Sequence, residues 1–348
     1  MNTIKDILLD ILTVPSPSGS EQLLTKKFSD YMAPIVDRVS IDSIGNTIAY
    51  KKGMGNGKRV MIVSHADEVA MMVTYIDDNG FVHFQEVGAI DTNILPEQLV
   101  EIHHEDKIVY GVIGKKPLHL QEKSEYAKDW ATEELWIDLG VKGKDEAEEL
   151  VEVGDYITYK TQPTIVQNNN IVSKSLDDKS GLAVIVKVAQ GLKDEILDDD
   201  LYFVASVQEE LGARGAQVAA QSIKPDVAIA VDTTHSVDYP SVSPVRNGDI
   251  SLGKGVVVTK GPNIDPMLAQ QLTKLAKKND IQFQTQAISH QTGSDINPIQ
   301  LVEAGVKTAL LSIPLRYMHS PNEVANMDDM KRAAELLKAF CLRNQNSL

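Results

Sequence analysis

Four short apolar segments, each ending in residue types that bind metal ions, constrain this chain more than any other feature of it. They are "RVMIVSHAD" (59–67), "LYFVASVQEE" (201–210), "DVAIAVDTTH" (226–235) and "VKTALLSIPLRYMHS" (306–320). Near-continuous apolar runs of this length, without polar alternation, predict strands covered on both faces. Helical patterns lie between them. Residues 177–193 carry Leu182, Ile185, Val186, Ala189 and Leu192 on one face; 265–280 opens with Asp265 as N-cap and Pro266 at the first helical position; a last helix is expected from about Met327 to Leu342. Strand and helix alternation predicts an α/β fold, a three-layer αβα sandwich around a mixed, mostly parallel sheet.

Residues 73–164 break this pattern. Short alternating runs ("MVTYID", "FVHFQEV", "KIVYGVIG", "ELWIDLGV", "DYITYKT") are joined by turn signals such as Asp78-Asn79-Gly80, with helical periodicity only around Glu146 to Val151. They read as a small β-barrel-like domain inserted into a discontinuous domain formed by 1–72 and 165–348.

Composition narrows the function classes. Lys and Arg total 34 against 49 Asp and Glu, a net charge of −15, and no basic block interleaved with aromatics tracks a phosphate backbone, so nucleic acid is not an expected partner. The apolar face of the first helical pattern (Ile4, Ile7, Leu8, Ile11, Leu12) is interrupted by Asp6 and Asp10, unlike a signal peptide, and no run reaches the roughly 18 apolar residues of a membrane span. The single cysteine, Cys341, sits in an apolar helical pattern and reads as a buried small hydrophobe. The expectation is a soluble cytoplasmic protein without a membrane partner.

The strand ends carry His65 and Asp67, Glu209 and Glu210, Asp232, and His319; Asp177 and Asp178 precede a helix. One such residue alone is more often solvated or hydrogen-bonded than a ligand. In an open α/β sheet, however, ligand sites gather at the carboxyl ends of the strands, so five sets are expected to converge. Two histidines with several carboxylates suit two borderline divalent ions, zinc or cobalt foremost and manganese as a further option. A pair of ions also requires a bridging carboxylate and an unliganded base.

With "PSPSG" near the start, "HADEV" (65–69), "LDDKSG" (176–181), "QEELGARGA" (208–216), "VDTTH" (231–235), "GPNIDP" (261–266) and "IPLRYMHSPNEV" (313–324), the chain resembles the tetrahedral metallo-aminopeptidases. This is the glutamyl-aminopeptidase-like family, whose members are often labelled endoglucanases. The motifs run in the family's order along essentially the whole chain. The resemblance implies that Asp177 bridges two metal ions, that His65 and Asp232 complete one site, and that Glu210 and His319 complete the other. It further implies that Glu209 is the general base, removing N-terminal residues from peptides, and that the β insertion builds dimers and the dimers a twelve-subunit assembly. Asp67 matches the carboxylate expected to hold the ring of His65. Adjacent side chains on a strand point to opposite faces, so the assignment of Glu209 and Glu210 requires the strand to have ended before them.

Asp178 is balanced between a helix-dipole partner and a supporting role in the site. Glu68 reads as packing, Asp295 as a weaker candidate, His235 as a possible site-lining residue, and His103, His104 and His290 as surface or hydrogen-bonded. Three other readings compete with this one. A glycoside hydrolase usually has an aromatic-rich cleft, and aromatics are 5% here, leaving the histidines without a role. A deacylase of N-acylated small molecules would use the same two-metal chemistry. A catalytically silent metal-binding assembly protein would not retain every catalytic position.

Overall fold

The computed structural model describes residues 2–55, 57–122 and 129–343. The apolar runs are the heart of one large mixed sheet. Strands Asp200–Ser206, Arg59–His65, Val227–His235 and Lys307–Arg316 lie side by side and parallel. Antiparallel strands flank them: Arg38–Ile41 and Thr47–Lys51 on one side, Glu323–Asn326, Asn170–Ser173 and Thr164–Ile165 on the other. Val256–Lys260 pairs antiparallel with Lys307–Arg316 and parallel with Phe283–Ala287. Apart from the pair Val256–Lys260 and Phe283–Ala287, the parallel pairings thus lie in the centre, where both faces are covered, and the two ends of the main strand order are antiparallel.

Register places the site. Ser206 is level with His65, and Ala230 is level with Val63, so two residues further on Asp232 stands at the height of His65. All three therefore emerge at one edge, the carboxyl end of the parallel strands.

Helix Leu176–Leu192 packs against the central strands together with Met327–Cys341, with Ile4–Leu12 laid on both of these helices and Gln22–Met32 against Leu176–Leu192 and strand Thr47–Lys51, while Arg214–Ile223 and Ile296–Ile299 pack with one another over the central strands. The amphipathic face expected for 177–193 is an understatement. Val184, Val188 and Ala183 are buried as fully as the anticipated stripe, because the helix is sandwiched between the sheet and the terminal helices. Asp265 caps Pro266–Lys278 as expected, its carboxylate accepting from the Met267 and Leu268 amides at 2.9 Å, a contribution of about 1 kcal/mol. Cys341 is buried and unbridged.

Residues Ala70–Tyr159 contain a closed antiparallel barrel of six strands: Ala70–Ile76, Val82–Val87, Trp136–Asp138, Lys107–Gly114, Leu99–His104 and Tyr156–Tyr159. Its core is separate, built from Met71, Val73, Phe84, Ile102, Ile113 and Ile157 among others. Leu99–His104 was not among the strands anticipated from sequence. Gly80 closes the first hairpin at φ 86°, and a Cβ there would collide with Val141 and the Gly143 carbonyl. Among the described residues no helix is long and apolar enough to cross a membrane.

Candidate metal centre

Asp177 is the pivot of the site. The helix Leu176–Leu192 begins with Asp177 and Asp178 outside helical φ/ψ, and both carboxylates face the strand ends. Asp177 Oδ1 lies 3.3 Å from His65 Nε2, and Oδ2 lies 3.4 Å from His319 Nε2. One carboxylate thus spans two imidazoles. His65 Nε2 is also 4.0 Å from Asp232 Oδ1, and His319 Nε2 is 3.0 Å from Glu210 Oε1. Every residue of the anticipated ligand set is therefore in one place, and ligand atoms of His65, Asp177 and Glu210, and of His65, Asp178 and Asp232, cluster within 4.8 Å.

The far side of each imidazole is anchored. His65 Nδ1 is 3.1 Å from the Asp67 carbonyl and 3.5 Å from the Asp67 carboxylate; His319 Nδ1 is 2.8 Å from the carbonyl of Ala89, in the loop that follows barrel strand Val82–Val87. An Nδ1–H donated to either carbonyl leaves Nε2 free to face the carboxylates. The barrel side of the chain thus orients a residue of the site.

The two glutamates leave the sheet as the assignment demanded. The strand ends at Ser206, and Gln208 takes φ 57°. Asp67, fully buried, then accepts from both amides in turn: Oδ1 from Glu209 N–H at 2.9 Å and Oδ2 from Glu210 N–H at 3.0 Å. Its carboxylate is more closely engaged with this turn than with the ring of His65. Glu210 points to His319, and among the described residues nothing hydrogen-bonds the carboxylate of Glu209.

The electrostatics are those of an uncompensated acidic nest. Burial, then Asp232, Asp295 and Glu210 against the pull of His65, push Glu209 up to about 10. Burial and Asp177 push Asp232 to about 8, and the same two causes push Glu323 to about 8. Burial and Asp232 raise Asp178 well above the carboxylate range. Against their burial, the adjoining carboxylates of Asp177 and Asp67 raise His65, and those of Asp177 and Glu210 raise His319 to about 11. Asp177 goes the other way: burial opposes, but His319 and His65 hold it below its usual range. Protons on the imidazoles and outer carboxylates do here what a cation would do. Glu210 Oε1, moreover, is buried, close to His319 yet without a properly aligned hydrogen bond, as for two donors aimed at a shared point. Nitrogen and oxygen donors in this arrangement fit divalent metal ions.

Three residues complete the site beyond the anticipated set. Glu323 accepts from the amides of His319 (2.7 Å) and Asp177 (3.2 Å), tying the two together. Asp178 accepts from Ser64 Oγ (2.5 Å) and from the Gly181 amide three residues on (3.0 Å), so it serves the helix start while its carboxylate also lies in the cluster with His65 and Asp232. Asp295 is buried and takes a hydrogen bond from Ser206. Glu323 had a signal, its place in "HSPNEV"; that it reaches back to two backbone amides did not. Glu68 is structural as expected, buried against Lys174, Lys179, Ser175 and the Ser16 amide. His103 and His104 bond Thr158 and Asp155, and His290 bonds the Gln291 carbonyl. His235 lines a cleft of about 540 Å³ beside the site.

A parallel-centred α/β sheet with a two-histidine, multi-carboxylate nest at its carboxyl edge is an arrangement that could hold metal ions, as peptide hydrolases of this kind do. Residues 45–336 match the family model of the M42 glutamyl aminopeptidases, and the chain belongs to that family. It is 36% identical to the lysyl aminopeptidase of Pyrococcus furiosus over 96% of both chains. The solved aminopeptidase of the archaeon Desulfurococcus kamchatkensis superposes with a TM-score of 0.92 at 33% identity, covering 98% of this chain and 95% of that one. The TET1 peptidase of Pyrococcus horikoshii, described as assembling into a tetrahedron or a large octahedral shell, gives 0.87 at 28% identity over 98% and 100%.

Proposed function

We propose that this chain is a dinuclear metallo-aminopeptidase that removes N-terminal residues from peptides. His65 and Asp232 would hold one ion, Glu210 and His319 the other, with Asp177 between them. The observation that carries the reading is the placing of the two Asp177 oxygens, 3.3 and 3.4 Å from the two imidazoles. When bound, the ions, zinc or cobalt before manganese, supply Lewis acidity: they polarise the scissile carbonyl and acidify water. Glu209, beside the nest and with no hydrogen bond to its carboxylate among the described residues, takes the proton of the attacking water and returns it to the departing amine. Asp67 holds the Glu209–Glu210 turn, and Glu323 and Ala89 hold His319, so the base and the ligands keep a fixed spacing.

Residues 1–72 and 165–348 form the catalytic body and 73–164 the oligomerisation domain of a cytoplasmic homo-oligomer, a dodecamer built from dimers. Supporting this, Ile108, Tyr110 and Val112 alternate along one exposed barrel face with Leu99 paired beside Val112, an apolar surface of the kind that mates with a second copy.

The test is hydrolysis of aminoacyl-p-nitroanilides, free and N-acetylated, after chelation and again after adding zinc, cobalt or manganese. Metal-restored cleavage of the free substrates alone is expected. Cleavage of the acetylated ones instead would make the protein a deacylase, and no cleavage with any metal would leave it without this activity.

A further inference from the structure

Where the barrel meets the body, the metal centre borders a small cavity of about 10 Å³, the space one water molecule needs. Asp177, His319 and Glu323 reach its wall from the centre, and Lys174 and Ser320 from the surrounding body. The barrel contributes Tyr159, the last residue of strand Tyr156–Tyr159. Its ring lies in the barrel core and the residue is 3% exposed, yet its buried hydroxyl has no hydrogen-bonding partner among the described residues.

Burial, then Asp91, Glu323 and Glu86, raise this phenol above its ordinary range, so it presents an O–H at any working pH. A buried hydroxyl without a partner is costly, and native folds keep few of them. The lining of the cavity supplies a remedy, because a single water there would have several polar groups to bond. Lys174 is already engaged by Glu68. Glu323 is the acceptor with capacity left: its Oε1 takes the His319 amide at 2.7 Å and its Oε2 the Asp177 amide at 3.2 Å, and each carboxylate oxygen has a second lone pair to offer.

We propose that Tyr159 is a positioning residue of the metal centre: through one water held in this cavity its hydroxyl braces Glu323, and Glu323 in turn fixes the backbone of Asp177 and of His319. The proposal rests on the metal reading above and adds to it a residue from outside the catalytic body. Ala89, whose carbonyl lies 2.8 Å from His319 Nδ1, is one hold of the barrel side on the centre; Tyr159 is a second. The hydroxyl touches neither ion nor substrate, so its effect is read on the grip of the ligands rather than on the chemical step.

The test is Tyr159→Phe, which keeps the ring in the barrel core and removes only the hydroxyl. Zinc affinity is measured by competition with a chromogenic chelator, zinc per chain by elemental analysis, and Tm on the chelated proteins. The more weakly held zinc is expected to bind about tenfold less tightly in the variant, the lower end of what a group behind a metal ligand contributes, and the chelated variant to melt below wild type. Made on top of Glu323→Gln, the same substitution should weaken zinc no further, because the group it acts through is already altered. A loss confined to barrel packing would lower Tm without changing zinc affinity. Unchanged zinc affinity, or a chelated Tyr159→Phe protein that melts above wild type because an unpaired buried hydroxyl has been removed, overturns the proposal and leaves the metal reading intact. Full additivity with Glu323→Gln overturns the route through Glu323. A wild-type chain that takes up neither zinc nor cobalt overturns the metal reading, and this proposal with it.

Discussion

Two adjacent glutamates are useful at one site only if the backbone between them is not a strand, and a single buried aspartate secures that here. By accepting from the amides of both Glu209 and Glu210, Asp67 fixes a turn that directs one carboxylate to His319 and leaves its neighbour unengaged. The division of labour is testable on the neighbour. Glu209→Gln preserves shape but removes the proton acceptor, so turnover should fall by about 10²- to 10⁴-fold with metal content, measured by elemental analysis, unchanged. Activity close to wild type would remove Glu209 from the base role. The sequence made the pair conspicuous, because carboxylates directly after a buried strand need a reason. It did not reveal the hold Asp67 has on their amides, since a bond spanning 142 residues depends on strands Arg59–His65 and Asp200–Ser206 being neighbours.

Elements make these long-range bonds possible, and they also set how tightly side chains can be placed. The four central strands were legible because burial on both faces leaves an unbroken apolar signature. Leu99–His104 was not, for a half-exposed barrel strand ending in two histidines has little apolar contrast with its turn. Helix Leu176–Leu192 was legible as a helix, but not the departure of its first residues from helical geometry, which is what brings Asp177 and Asp178 to the centre. Gly181 is where that start is most crowded: a Cβ there would run into the Asp178 carboxylate and Ser64 Oγ, both buried. Gly181→Ala is therefore expected to lower stability by about 1–3 kcal/mol and to weaken metal retention. Gly191→Ala, in the same helix, meets only the flexible end of Lys338 at 3.3 Å and more, and should be neutral or stabilising by up to about 1 kcal/mol. Thermal unfolding with parallel metal analysis separates the two. Equal behaviour of both variants would show that Asp178 needs no such close approach.

At the scale of the whole molecule, the concentration of carboxylates at one sheet edge links folding to pH and to metal. Glu209 at about 10 and Asp232 and Glu323 at about 8 keep protons in the folded, metal-free chain that the unfolded chain gives up above its ordinary carboxylate pKa near 4. Raised groups of this kind stabilise fully below the unfolded pKa, and the benefit is lost as pH climbs through the folded one. His65 and His319 act in the same direction, since their imidazoles stay charged in the fold where free histidine has already lost its proton. Asp177 and Glu68, held low, give stability that disappears only under more acidic conditions. The Tm of the chelated protein should therefore fall as pH rises from about 5 to about 8. Divalent ions compete for the same ligand atoms as those protons, so added zinc should raise Tm more at pH 8 than at pH 6, reversing the trend. Calorimetry of chelated and zinc-loaded protein across this range checks both signs. A chelated protein whose Tm is flat or rises with pH would mean that the carboxylates at the sheet edge are already compensated, and the case for an ion there would lose its electrostatic basis.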